Sequence, residues 1–121
     1  MPLVNISILK GKSREYKKAI ADGINSAVIE TMRFPDDDRY QIINEVEPDC
    51  LEYQQRDSDR VMMFLIMRAG RSNKEKQAFY KKVAENLSAD PGVLPENILI
   101  TIVENHDIDW SFRDGIAQFV V

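Results

Sequence analysis

The first residue in this sequence that could do chemistry is Pro2, which directly follows Met1. Initiator methionine is usually removed when a small residue such as proline follows, and its removal leaves Pro2 with a free secondary amine. An unperturbed α-amino group has a pKa of about 7.7–8.0, and burial lowers that pKa because it disfavours the charged form. Pro2 is therefore a candidate general base near pH 7. The alternative is a plain proline that opens an edge strand, where a missing N–H does no harm.

A second chemical group is Arg71, which lies in a Gly-Arg-Ser turn ahead of a helical pattern. A guanidinium at such a turn can hold a carboxylate through two parallel hydrogen bonds, and the start of a helix also favours an anion. The alternative is a surface arginine beside a helix cap. Lys12 has the matching place in a Gly-Lys-Ser turn, and we interpret it as a solvated lysine.

Two β-α-β patterns position these residues. The first has a strand over 3–8, a helix over 14–32 with Ser13 as its N-cap, and a strand over 40–47. The second has a strand over 61–68, a helix within 69–90 that begins with a capping-box pattern, and a strand over 97–104. The remaining tail allows a short final strand.

The two patterns are also a repeat, since the Gly-Lys-Ser and Gly-Arg-Ser turns lie 59 residues apart. We therefore predict one domain over 1–121, with units of about 1–59 and 60–121. Each right-handed crossover pairs two parallel strands. The predicted fold class is α+β, a four-stranded sheet with two helices on one face.

Strand 61–68 and strand 97–104 are apolar at both odd and even positions, so both faces of the sheet need cover. Two helices cover only one face. The pattern therefore predicts that another chain covers the second face, as in an oligomer.

The amine-bearing Pro2, the short β-α-β unit and the Gly-[Lys/Arg]-Ser turn together resemble the tautomerase superfamily, typified by 4-oxalocrotonate tautomerase. The segments DDDRYQ and VENHDIDWSFRDGIAQF resemble the malonate semialdehyde decarboxylase branch, whose chains are two fused β-α-β units. The resemblance implies a homotrimer without a cofactor, with Pro2 as the catalytic residue. Val61, the counterpart of Pro2 in the second unit, is mid-chain and has no free amine, so one active site per chain is expected.

The resemblance also implies roles for two charged residues. It makes Arg71 the group that binds the substrate carboxylate, and Asp38 the acid that activates water or orients the proline. An acid near Pro2 would raise the pKa of its amine, so the net direction of that shift stays open.

Aromatic residues complete the predicted site. Trp110 and Phe112 are expected to form an apolar wall over the proline. The alternative is that they dock the tail onto the core or onto a neighbouring subunit. Tyr40 is a weaker candidate for the same pocket. His106, with the acids that follow it, is interpreted as a solvated loop, and no metal site is predicted. The net charge of −4 argues against a nucleic-acid partner, and the lack of a long apolar run argues against a membrane partner. The single cysteine excludes an internal disulfide and favours a cytoplasmic protein.

The predicted function is keto–enol tautomerisation of small 2-oxo acids. The alternative reaction is decarboxylation of a 3-oxo acid, but that branch carries an Arg-X-Arg-Ser pattern, and Ala69 stands at the first arginine's place. Arg68 is one residue off, and a one-residue shift on a strand turns a side chain to the opposite face. A rival of another class is a trimeric binding protein without catalysis.

Overall fold

The computed structural model describes residues 2–120, so the predicted removal of Met1 lies outside the described residues. The elements follow the order predicted from the sequence. They are β1 (Leu3–Leu9), α1 (Arg14–Met32), β2 (Tyr40–Val46), β3 (Val61–Arg68), α2 (Asn73–Ala89) and β4 (Ile98–Asn105). Short 3-10 turns cover Pro48–Cys50, Pro95–Asn97, Asp107–Asp109 and Gln118–Val120.

The four strands form one mixed sheet in the order β2-β1-β3-β4. Each β-α-β unit supplies one parallel pair, β1 with β2 and β3 with β4. The two units join through β1 and β3, which are antiparallel. The predicted fold class, two tandem β-α-β units with both helices on one face, is confirmed.

Local signals set both helix starts. The backbone N–H of Tyr16 donates to Ser13 Oγ at 3.0 Å, and that of Glu75 donates to Ser72 Oγ at 3.1 Å. The Glu75 carboxylate in turn accepts from the Ser72 N–H, which completes the predicted capping box. Each helix therefore begins directly after the serine that the sequence predicted as its N-cap, Ser13 or Ser72.

The core lies between the helices and one face of the sheet. The apolar side of each helix packs on alternate residues of the central strands. Its fully buried side chains include Ile20, Ile24, Phe79, Leu87, Ile6, Ile8, Met63 and Leu65. Gly23 lets the helices approach closely, since a Cβ there would lie 2.9 Å from Leu87 Cδ2.

Neither α1 nor α2 covers the opposite face of the sheet, which we call the open face. Large apolar side chains on this face are exposed in the single chain: Tyr40, Ile42, Phe64, Leu99 and Val103. The helices thus satisfy only half of the apolar pattern of β3 and β4.

The tail after β4 differs from the sequence expectation, because residues 106–120 contain no strand. They contain an isolated bridge between Arg113 and Ile116. Asp114 and Gly115 between them have φ of 58° and 67°, which turns the chain too sharply for a strand. Within residues 2–120, no helix has the length and apolar character needed to cross a bilayer.

Candidate active site

The strand directions bring most predicted site residues to one end of the sheet. Leu3, the first residue of β1, pairs with Tyr40 at the start of β2 and with Ile66 near the end of β3. The end of β3 pairs with Asn105, the last residue of β4. Pro2 is buried and directly precedes Leu3, so a proline amine would lie at this end.

A cavity of about 410 Å³ opens on this end of the open face. Its lining residues are Leu3, Tyr40, Ile66, Asn105, Asp109, Trp110, Ser111 and Phe112. The cavity, which we call the aromatic pocket, therefore contains three predicted site residues: Tyr40, Trp110 and Phe112. The side chains of Pro2, Asp38 and Arg71 are not among its lining.

Stacked rings form one wall of the aromatic pocket. The Trp110 ring lies on the Phe112 ring with centroids 5.4 Å apart and an interplanar angle of 11°. The centroid of the Tyr40 ring lies 5.6 Å from that of the Phe112 ring. The Phe119 ring packs edge-on against the Phe112 ring, with centroids 5.4 Å apart. The predicted aromatic wall is thus formed by the chain's own tail, and Phe119 is a member that the sequence reasoning missed.

Hydrogen bonds hold the tail over the sheet. Trp110 Nε1 donates to Asn105 Oδ1 at 2.7 Å, and the backbone N–H of Phe112 donates to Gln118 Oε1 at 2.9 Å. Trp110 is only 9% exposed, although it lies in a segment without regular structure. The tail is therefore a fixed wall of the pocket, built from β4 outward.

Arg68 is also part of this anchoring. It belongs to β3, so the strand has not ended before it. Its guanidinium lies 4.0 Å from the Phe119 ring centroid, and Nη1 donates to Asp107 Oδ1 at 3.0 Å. Arg68 is thus engaged by the tail, which agrees with the interpretation that it does not replace the arginine missing at Ala69.

Arg71 lies at the start of α2, on a different side of the same sheet end. Its Nε donates to the Met32 carbonyl at 2.9 Å, and its guanidinium lies 3.9 Å from the Phe34 ring centroid. Burial lowers the pKa of Arg71, and the positive charge of Arg33 lowers it further. Among residues 2–120, Arg71 forms no ion pair with a carboxylate, and its Nη atoms donate to no protein acceptor.

The neighbouring acid, Glu75, is hydrogen-bonded to Arg33 and acts on Arg71 only through its charge, which raises the Arg71 pKa against the effect of burial. Arg33 Nε donates to Glu75 Oε2 at 2.8 Å, and this contact is the main cause that lowers the pKa of Glu75 to about 2. Arg33 has φ of 61° at the C-cap of α1, which directs it across to α2. Arg71 is therefore a partly buried cation with free donors, the state expected of an anion-binding group.

Lys12, the counterpart of Arg71, differs from the expectation that it is solvated. Its Nζ forms a short ion pair with Asp59 and lies 5.2 Å from the Tyr16 ring centroid. Its side chain is about one quarter exposed. Lys12 thus forms an ion pair within the first unit, with the segment that leads into β3, whereas Arg71 has no such partner among residues 2–120.

Asp38 lies in the turn before β2, where its N–H donates to the Pro35 carbonyl at 3.3 Å. Burial raises the pKa of the Tyr40 phenol, and the Asp38 carboxylate, which accepts a hydrogen bond from it, raises that pKa further. Asp38 is therefore placed at the rim of the aromatic pocket through Tyr40.

Comparisons with known proteins agree with this geometry. Two family models, both described as tautomerase enzyme, match residues 38–113 and 2–51. The chain belongs to the tautomerase family.

Individual relatives cover nearly the whole of this tautomerase chain. The probable tautomerase YrdN of Bacillus subtilis (strain 168) is 30% identical, over 99% of this chain and 97% of its own length. A solved structure of FG41 malonate semialdehyde decarboxylase inhibited by 3-bromopropiolate is 34% identical, with a TM-score of 0.91 over 98% of this chain and 94% of that one. A fused 4-OT symmetric trimer shares the fold at 18% identity, with a TM-score of 0.83 over 94% of each chain.

The tautomerase fold of this chain contains a second cavity, of about 330 Å³, at the opposite end of the open face. A shift of 59 residues maps seven of the eight lining residues of the aromatic pocket onto its lining. The pairs are Leu3 and Met62, Tyr40 and Leu99, Ile66 and Ser7, Asn105 and Val46, Asp109 and Cys50, Trp110 and Leu51, and Ser111 and Glu52. We call this second cavity the repeat pocket.

The two pockets of this tautomerase have diverged in chemistry. The aromatic pocket has an amide and an indole where the repeat pocket has Val46 and Leu51. The unpaired Arg71 is at the end with the aromatic pocket, and the ion-paired Lys12 takes its place in the first unit. The Asn105 amide, the Trp110 indole and the Arg71 guanidinium thus lie at the end of the sheet where Pro2 lies.

The acids near His106 serve the tail. The backbone N–H of His106 donates to Asp109 Oδ2 at 2.9 Å, and Asp107 pairs with Arg68. Within residues 2–120, no cluster of three or more potential ligand side chains suits a metal ion.

Proposed function

We propose that this chain is a cofactor-free keto–enol tautomerase of small 2-oxo acids, and that the Pro2 amine, freed by removal of Met1, carries the proton. The observation that carries the proposal is the partly buried, unpaired Arg71 guanidinium at the same sheet end as Pro2. The aromatic pocket beside Leu3 supplies an apolar wall that excludes water. Membership of the tautomerase family supports the reaction class.

The proposed reaction moves one proton. Neutral Pro2 nitrogen takes a proton from the carbon next to the carbonyl, and the electron pair of that C–H bond forms a carbon–carbon double bond. The carbonyl π electrons move to oxygen, and the proline then returns the proton to that oxygen. Arg71 holds the substrate carboxylate, and Trp110, Phe112 and Tyr40 pack against the carbon chain. Asp38 orients this side of the pocket through the Tyr40 phenol.

Decarboxylation of a 3-oxo acid is the second candidate, favoured by the 34% identity to FG41 malonate semialdehyde decarboxylase. That reaction breaks a carbon–carbon bond and asks for more positive charge at the carbonyl and carboxylate. Ala69 offers no such charge, and Arg68 is engaged by Asp107 and Phe119. The contacts of these two residues therefore support tautomerisation as the main activity.

We expect kcat/KM for ketonisation of phenylenolpyruvate to exceed kcat/KM for decarboxylation of malonate semialdehyde in the same preparation. Ala69 is exposed, so Ala69→Arg fits without disturbing the core and should raise the decarboxylase value. Ala69→Gln, which adds length without charge, is the control and should not raise it. Wild-type protein that decarboxylates more efficiently than it ketonises would contradict this assignment.

We also propose that three copies of the chain assemble through the open face; the fused 4-OT structure is described as a symmetric trimer. Light scattering should give three times the chain mass of 13.9 kDa. Phe64→Lys on the open face should dissociate the assembly, because a charge there would be buried between chains. Tyr80→Lys on α2 is the control, since Tyr80 is similarly exposed (37% against 41%) but lies on the helix layer. A monomer mass for the wild type at micromolar concentration would contradict the proposal.

A trimeric binding protein without catalysis is the remaining alternative. Catalysis by Pro2 requires a free amine, whereas an inert binder tolerates a retained Met1. The intact mass of the purified protein, measured beside its activity, separates the two.

A further inference from the structure

We infer that the side-chain amide of Asn105 is a further catalytic group, which donates a hydrogen bond to the carbonyl oxygen of the substrate. The inference rests on the proposed tautomerase function. Asn105 lines the aromatic pocket together with Leu3, the residue next to Pro2. A donor that lines this cavity is placed to bond a substrate bound there, and the oxygen on which charge develops during proton removal is the acceptor that gains most from it.

The hydrogen bond to Trp110 decides how the Asn105 amide is turned. Indole Nε1–H can only donate, so its partner 2.7 Å away is the amide oxygen of Asn105. The amide nitrogen is then directed away from the indole. Within residues 2–120, that nitrogen donates to no protein acceptor, so both of its N–H groups are available to a ligand.

The backbone makes this donor rigid. Asn105 is the last residue of β4, in register with Arg68 of β3, and its carbonyl accepts from the Ala69 N–H at 2.8 Å. Its side chain lies on the open face with the aromatic pocket, because residues alternate between faces along β4. A donor held by a strand and an indole pays little reorganisation cost during a reaction.

The repeat pocket supplies an internal comparison. Val46 takes the place of Asn105 there, 59 residues earlier, in a cavity without a free proline amine. Both positions end an equivalent strand and line an equivalent wall. The amide is therefore present at the end where the chemistry is proposed and is replaced by an apolar side chain at the other end, where Leu51 also replaces its partner Trp110.

The chemical consequence follows from the proton transfer. As the C–H electron pair forms the double bond, the carbonyl π electrons move to oxygen, and that oxygen gains negative charge. A fixed N–H donor strengthens its hydrogen bond as this charge develops. Loss of one such donor typically lowers kcat by about 100-fold to 1000-fold.

Asn105→Asp tests the inference, because the carboxylate keeps an oxygen for Trp110 and replaces the donor with an acceptor. We expect kcat for ketonisation to fall about 100-fold, with a much smaller change in KM. Trp110 is the single tryptophan of the chain, so its fluorescence should stay at the wild-type wavelength and report that the wall is intact. As the pH falls through the pKa of the new carboxyl, protonation restores a donor, and the activity of N105D relative to wild type should rise.

Two further variants separate charge and folding from donation. Ser111→Asp places the same charge in the same pocket and leaves the Asn105 amide intact, and we expect it to lose much less kcat than N105D does. Asn105→Leu removes the donor without adding a charge, and it replaces N105D as the test variant if N105D does not fold. We expect its kcat to fall by the same factor as that of N105D. If wild type is active while N105D or N105L keeps kcat within about threefold, the inference is overturned and the proposed function stands. Wild-type protein that lacks Met1 and is inactive overturns the proposed function and this inference with it.

Discussion

Protein whose N-terminus is blocked should ketonise phenylenolpyruvate with a kcat/KM about 100-fold to 10,000-fold below that of protein that begins at Pro2, the range that a general base contributes. A retained Met1 turns the Pro2 nitrogen into an amide, which has no basic lone pair. Pro2 itself is buried and directly precedes β1, at the sheet end that carries the aromatic pocket. Intact mass sorts the two preparations before their rates are compared.

Pro2→Ala is the graded control for that result. Alanine leaves a primary amine after Met1 is removed, so a base survives with altered basicity and geometry. We expect activity between that of the blocked and the native chain, with unchanged thermal unfolding because Pro2 donates no strand hydrogen bond. A blocked chain that turned over the enol normally would show that Pro2 is not the catalyst.

Arg71→Ala should lower kcat/KM for carboxylated substrates by about tenfold to a hundredfold, whereas Lys12→Ala should change it little. A charge-assisted hydrogen bond contributes about 1.5–3 kcal/mol, and Arg71 has free Nη donors where Lys12 is paired with Asp59. The Met32 carbonyl and the Phe34 ring hold the guanidinium in place, so its loss is not compensated by a flexible neighbour.

Two comparisons show whether the lost interaction is with the carboxylate. Arg71→Lys keeps the charge but loses the two parallel N–H groups, so it should recover only part of the activity. A methyl ester of the substrate should remove most of the difference between wild type and Arg71→Ala. Equal small losses from Arg71→Ala and Lys12→Ala would place the carboxylate elsewhere.

Short-range patterns determined the elements of this fold. The predicted helix 14–32 matches Arg14–Met32, because Ser13 caps it and apolar residues recur at helical spacing. The 59-residue repeat determined that there are two β-α-β units, since each turn sequence opens the same structure. Within each unit the caps and the helical spacing depend on residues a few positions apart, which is the range over which helix hydrogen bonds and caps act.

The sequence also singled out the aromatic residues of the site. Tyr40, Trp110 and Phe112 do meet in one pocket. That Arg71, Asp38 and Pro2 lie outside its lining was not visible, because the lining of a pocket depends on contacts between segments that are distant in the chain. The pairing of Lys12 with Asp59 was hidden as well, since the two residues are 47 positions apart.

Only the tertiary structure decided what each polar group does. Joining β1 to β3 antiparallel brings the start of β1 beside the end of β3, and the parallel pairing of β3 with β4 then sets Asn105 in the same pocket as Leu3. Sequence alone shows Asn105 as one of several asparagines. The indole N–H of Trp110, which donates to the amide oxygen and so orients the amide, is known only from the tertiary structure. The same is true of the pocket that the amide lines. Caps and periodicity are local and can be predicted, whereas the direction of a hydrogen-bond donor depends on every segment that packs around it.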